Sequence, residues 1–143
     1  FNLTTAQWYF TDSVDARRAS LPASTFKIIN LAIALELGVI ENEKVEFTYQ
    51  GNHNSELYGD RPDVFQDLTV EEAYHKSAVW VFLEIAEQVG EQRYLEILNS
   101  CNYGNQQLEG EGLDFWNFGS FAISPFDQVK FLMDFFNFRL PFS

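Results

Sequence analysis

The sequence predicts a mainly helical chain with one or two short strands. Three observations lead there. Helix start and stop signals bracket five segments. The first of these is strongly apolar at helical spacing. The runs that favour β-structure are only a few residues long. A hydrophobic fraction of 46%, with 15 Phe, suffices for a packed core and argues against disorder. At 143 residues the chain is one domain or part of one.

The elements follow in order. Gln7-Trp8-Tyr9-Phe10-Thr11 reads as a short strand, preceded by a turn over residues 2–5 that leaves the strand's partner upstream of residue 1. Residues 12–21 are polar connection. Residues 24–37 predict a helix, apolar at Ile28, Ile29, Leu31, Ala32, Leu35 and Leu37, with Gly38 as its cap. Residues 41–67 are irregular around Gly51, Gly59 and Pro62, with a short strand within 45–49. Thr69-Val70-Glu71-Glu72 is a capping box, so a helix starts near Val70 and breaks near Lys76-Ser77. Further helices are expected over 78–88, closed by Gly90, and over 91–99, ahead of the turn Tyr103-Gly104-Asn105. An acidic, Gly-containing loop spans 106–114. Ser124 at N-cap, Pro125 at N1 and Asp127 in the first turn open a last helix running to Phe138, before Pro141.

Charge and composition exclude several functions. The formal net charge is −12, from 21 acids against 9 bases, which repels nucleic acid and anionic membranes. A simple solubility charge would account for most of it. No run of 18 apolar residues exists to span a membrane. The single cysteine, Cys101, forms no internal disulfide and reads as a small buried residue. His53 and His75 are too few and too far apart for a metal site. The chain begins at Phe1 with no signal peptide, which reads as a mature or trimmed product.

Chemistry concentrates at Pro22-Ala23-Ser24-Thr25-Phe26-Lys27. Positions three apart share a helix face, which sets the Lys27 amine over the Ser24 hydroxyl at the helix start. A serine hydroxyl is a weak nucleophile that needs a nearby base, and a lysine serves only as the neutral amine. Spacing alone favours a plainer reading, an N-cap serine and a solvated lysine.

The downstream residues reverse that balance. Ser77-Ala78-Val79, Tyr103-Gly104-Asn105, and Phe115-Trp116 followed by Gly119 stand in an order that resembles the class D (OXA-type) serine β-lactamases and related penicillin-recognising (transpeptidase-like) domains. So do residues 21–28, 34–40, 66–69, 102–105 and 127–132, so that the resemblance covers essentially the whole chain. It implies that Ser24 is the acylating nucleophile and Lys27 the general base, carboxylated by carbon dioxide, with no other cofactor and no metal. Ser77 would relay a proton to the leaving nitrogen, cap the next helix, or do both. Phe26, Val79 and Trp116 would form the apolar lysine pocket, the Trp116 indole N–H donating to the carbamate. Tyr103, Gly104 and Asn105 would shape a loop bordering the site.

The implied function is hydrolysis of penicillins and other β-lactams, an antibiotic-resistance activity, in the periplasm or outside the cell. The alternative is a β-lactam-sensing receptor domain that is acylated and stays so; Val79 favours the enzyme. A transpeptidase or carboxypeptidase fits the spacings less well, and an inactive remnant serving assembly is a third reading. Two departures stand out. Asn117 replaces the usual Leu after Trp116 and Phe118 replaces an acid, so Asn117 either brings polarity to the lysine pocket or points away. No Lys-(Ser/Thr)-Gly run occurs. The chain is therefore expected to be the helical part, residues 1–143, of the mixed α/β serine β-lactamase/transpeptidase-like fold, lacking the first strand and the C-terminal sheet strands. Catalysis should be impaired in it, and exposed sheet edges should favour homodimers.

Overall fold

The computed structural model describes residues 1–51, 55–109 and 112–143. The chain resolves into two compact units, Ser24–Tyr94 and the combination of Phe1–Ala23 with Leu95–Ser143. Among the described residues the regular structure is mainly helical, as the sequence predicts.

In the Ser24–Tyr94 unit, a 3-10 turn over Ala23–Phe26 leads into α1, Lys27–Glu36. The α-helix thus starts at Lys27, three residues later than expected, and Ser24 lies in the turn before it. Leu37 ends α1, and Gly38 takes the left-handed conformation with φ +66°. Val39 N–H donates to Ala34 C=O at 2.9 Å and Gly38 N–H to Leu35 C=O at 3.1 Å, which is the double closure of a Schellman cap.

The strand expected within 45–49 forms only as β1, Glu46–Phe47, antiparallel to β2, Leu68–Thr69, with Phe47 opposite Leu68. A short α2, Ser55–Tyr58, lies between them in sequence. The Thr69 capping box forms as predicted and starts α3, Val70–Lys76. Accepting the Thr69 N–H also holds the Glu72 carboxyl below the ordinary carboxylate range.

Ser77 breaks the chain before α4, Val79–Val89, and Gly90 turns it into α5, Glu91–Ser100. The core of this unit lies between α1 and α4: Ile29, Ile33 and Ala34 meet Val81, Phe82, Ile85 and Ala86, all fully buried. Leu35, expected on the apolar face of α1, is 49% exposed, and Asn30 is buried instead.

In the other unit, Tyr103, Phe115, Phe121 and Phe131 form an aromatic core. α6 is a single turn, Phe115–Phe118, and α7 runs over Pro125–Phe136. Ser124 caps α7 as predicted, its Oγ accepting from Asp127 N–H at 3.1 Å. The helix stops two residues before Phe138, where Asn137 caps it. An isolated antiparallel bridge ties Ser20 to Ile123.

The strand expected over residues 7–11 does not form; only Gln7 pairs, in a bridge to Asn2. The aromatic character that suggested a strand serves packing instead. Trp8 lies 4.4 Å from the Phe126 ring, and the Arg17 guanidinium sits 4.2 Å over the same ring. Part of the acidic loop over 106–114, at positions 110 and 111, lies outside the described residues, as does His53. Among the described residues no cluster of metal-ligating side chains occurs, and no helix is long and apolar enough to cross a membrane.

Candidate active site

Ser24, Lys27 and Ser77 converge. The Lys27 Nζ donates to Ser24 Oγ at 3.0 Å and to Ser77 Oγ at 2.9 Å, and the two hydroxyl oxygens are 2.9 Å apart. The triangle is built from separate pieces of chain: the 3-10 turn, the first residue of α1, and the corner between α3 and α4. Ser24 is exposed, whereas Lys27 is only 2% exposed. A hydroxyl open to solvent is thereby backed by a buried amine. To act as a base, that side chain would have to be the neutral amine.

Backbone strain attends both serines. Ala23, just before Ser24, has φ +48°, and Ser77 itself has φ +56°. Left-handed backbone is unfavourable for residues with a Cβ and persists where the surroundings demand it. Ser77 completes the cap of α3, with its N–H donating to Tyr74 C=O at 3.2 Å and Ala78 N–H to Ala73 C=O at 2.9 Å. The N-cap of α4 is Ala78, so Ser77 does not cap that helix. A brace holds the same corner: Arg61 Nη2 donates to Lys76 C=O at 3.3 Å while paired with Asp63, and Trp80 Nε1 donates to Val64 C=O at 2.6 Å.

Phe26 is fully buried and Val79 half-buried, at the starts of α1 and α4. Sequence reasoning missed three neighbours. The Phe82 ring centroid lies 5.2 Å from Lys27 Nζ, within cation–π range. Behind it, Tyr94 Oη donates to Asn30 Oδ1 at 3.1 Å, and Asn30 Nδ2 reaches Phe82 C=O at 3.4 Å. Asn30 could have been suspected from the sequence, as a polar residue one turn after Lys27 in an otherwise apolar stripe.

The remaining candidates lie in the other unit. Trp116 is fully buried on α6, edge-on to Phe115 at 5.1 Å. Asn117 Nδ2 donates to Asp114 Oδ1 at 2.7 Å, so its amide is committed to the start of its own turn, and Asp114 is itself only 4% exposed. The Tyr103-Gly104-Asn105 turn is pinned to residues 120–122. Asn105 Nδ2 donates to Ser120 C=O at 2.9 Å, and its Oδ1 accepts from Ala122 N–H at 3.0 Å. Tyr103 stacks on Phe121, and burial pushes its phenol well above the ordinary range. Burial likewise raises the Cys101 thiol, in keeping with a packing residue and not a nucleophile.

An exposed serine, a buried lysine three residues on, and a second serine within hydrogen-bond reach form one candidate site, and comparison with known proteins gives the family. The model of the penicillin-binding protein transpeptidase domain matches residues 12–141, and the chain belongs to that family. Within it, the chain is 44% identical over 122 residues to β-lactamase OXA-10 of Pseudomonas aeruginosa, covering 85% of this chain and 44% of that protein. It is 36% identical to β-lactamase OXA-48 of Klebsiella pneumoniae, over 94% of this chain and 49% of that one. Among solved structures, a class D β-lactamase from Nostoc superposes with a TM-score of 0.88 at 31% identity, covering 98% of this chain and 57% of that one. A class D β-lactamase from Bacillus subtilis gives a TM-score of 0.90 at 28% identity, covering 99% and 57%. The chain thus has the helical part of that fold, and it spans about half the length of the curated relatives it matches.

Proposed function

We propose that this chain carries the acylating centre of a class D β-lactamase. The observation that carries the reading is the hydrogen-bonded triangle of Ser24, Lys27 and Ser77 around a buried amine. Ser24 Oγ attacks the β-lactam carbonyl, its proton passing to the Lys27 side chain over the 3.0 Å contact. The Oγ–C bond forms as the ring C–N bond breaks. Ser77, in contact with both groups, passes a proton to the leaving nitrogen. Water then attacks the acyl ester, the Lys27 side chain taking its proton and returning it to Ser24 Oγ as the Oγ–C bond breaks and the ring-opened acid leaves.

The lysine setting is compatible with carboxylation. Two hydroxyls lie within 3.0 Å of Nζ and can donate to an anion there. Carbon dioxide condensed on Lys27 would supply a carbamate oxygen as the base for both half-reactions. The resemblance brings with it penicillins as substrates and a periplasmic or secreted setting.

The test is intact-protein mass after mixing with benzylpenicillin, with and without bicarbonate, followed over time. A penicilloyl adduct on Ser24 that forms and then clears, faster with bicarbonate, is the expected result. An adduct that persists in both conditions would favour a sensor that is acylated and held, or an enzyme whose deacylation is lost. An adduct on any residue other than Ser24 would overturn the assignment.

A further inference from the structure

The catalytic triangle depends on how α1 lies against α4, because α1 carries Lys27 and the corner before α4 carries Ser77. Most of the contact between these helices is apolar and non-directional. One buried polar tie crosses it. Asn30 on α1 reaches the Phe82 carbonyl on α4, and the Tyr94 hydroxyl fixes the Asn30 amide by donating to its oxygen. Both side chains are 0% exposed, so no bulk water can substitute for either bond.

Tyr94 has a second hold on the site. Its ring is tilted against Phe26 at 6.1 Å, immediately before Lys27. Phe82, which receives the Asn30 bond, places its ring 5.2 Å from Lys27 Nζ. One tyrosine therefore acts on the lysine from both sides, through the residue preceding it and through the ring it faces. Apolar packing resists separation of two helices far better than it resists a small slide along their axes. A directional bond such as Asn30 to Phe82 C=O resists the slide.

We infer that Tyr94 is a positioning residue for acylation, which acts through Asn30 and Phe82 to hold Lys27 in register with Ser24 and Ser77. This rests on the acyl-transfer reading above. The Tyr94 hydroxyl bears on the lysine at one remove, through its bond to Asn30. It is not an acid or base in the reaction, since burial raises it far above the ordinary phenol range.

The test removes one oxygen. Tyr94→Phe keeps the ring against Phe26 and strips the donor from Asn30. The rate of Ser24 labelling is measured with benzylpenicillin and, separately, with a simple alkyl fluorophosphonate. In the latter reaction Ser24 Oγ forms a bond to phosphorus, fluoride leaves, and Lys27 takes the proton. The expected result is a fall of roughly 10- to 100-fold in both labelling rates, from a shift well under an ångström, with little change in the concentration giving half-maximal rate.

A second variant separates position from stability. Asn30→Leu combined with Tyr94→Phe removes the whole polar network, and an apolar replacement of this kind can restore folding stability. Recovery of the melting temperature while labelling stays slow supports the inference. If labelling recovers together with the melting temperature, the network is structural only and the inference fails. It also fails if the wild-type and Tyr94→Phe chains label at the same rate, zero included. A wild-type chain that takes the fluorophosphonate but ignores benzylpenicillin would overturn the β-lactam reading and leave the positioning role intact.

Discussion

Ser77 holds a conformation, φ +56° and ψ +42°, that glycine adopts at little cost and serine does not. The α3 cap would close as well with glycine. The hydroxyl is what glycine lacks, and it touches both Ser24 and Lys27. Strain is thus retained where a side chain is needed, which is the pattern expected of a functional site. The two truncations of this residue separate its roles. Ser77→Gly and Ser77→Ala both lose the hydroxyl, and both should lose most of their acylation rate. They should differ in stability, with the glycine variant roughly 1–2 kcal/mol more stable than the alanine one, since only glycine relieves the left-handed backbone. Urea unfolding of the two proteins measures that difference. An alanine variant as stable as the glycine one would show that the corner relaxes. The same scale accounts for Asn117. Its hydrogen bond to the buried Asp114 carboxylate gives the amide a partner within its own helical turn.

Among elements, the Tyr103-Gly104-Asn105 turn shows a motif whose first job is structural. Gly104 has φ +65°, and a Cβ there would lie 2.5 Å from Phe121 Cζ and 3.0 Å from Ala122 O. Gly104→Ala combines backbone strain with overpacking and should cost roughly 2–4 kcal/mol in unfolding free energy. A chemical denaturation curve checks it; a loss below about 1 kcal/mol would mean that Phe121 swings aside freely. What was legible in the sequence divides along this line. The Thr69–Glu72 box, the Gly38 and Gly90 stops and the Ser124–Pro125 start were readable because their partners lie within a few residues. The strand over 7–11 was misread because strand formation depends on a distant partner, and Trp8 packs on Phe126 instead. Asn30 and Tyr94 were missed for a related reason, since their bonds join positions 52 and 64 apart. Ser24 and Lys27 were picked out by spacing and given their roles only by the downstream motifs, yet the α-helix begins at Lys27. The serine therefore reaches the amine from a 3-10 turn and not from within the helix.

At the scale of the molecule, the Ser24–Tyr94 unit holds Ser24, Lys27 and Ser77, the proposed nucleophile, base and relay, while Trp116 and the Tyr103–Asn105 turn belong to the other unit. What acyl transfer also requires is charge stabilisation. The tetrahedral intermediate places an oxyanion on the former carbonyl oxygen, and two N–H donors aimed at it are the usual provision. The Ser24 N–H can be one. In the resemblance from which the roles were drawn, the other comes from a strand carrying Lys-(Ser/Thr)-Gly, and these 143 residues contain no such run. The solved class D structures extend well past the matched region, since the chain covers 57% of each. Loss of one oxyanion donor commonly costs about 10²–10³ in rate. Residues 1–143 alone should therefore acylate Ser24 more slowly, by about that factor, than a protein extended to the full length of the class D relatives. The triangle of Ser24, Lys27 and Ser77 is expected to be the same in both. Two measurements test this together: the rate of penicilloyl adduct formation on each length of protein, and labelling with an alkyl fluorophosphonate. Both reactions pass through oxyanion-like states, so both should rise with length, whereas a Ser24→Ala variant should stay dark at either length. Equal rates for the two lengths would mean that the second donor comes from within these 143 residues.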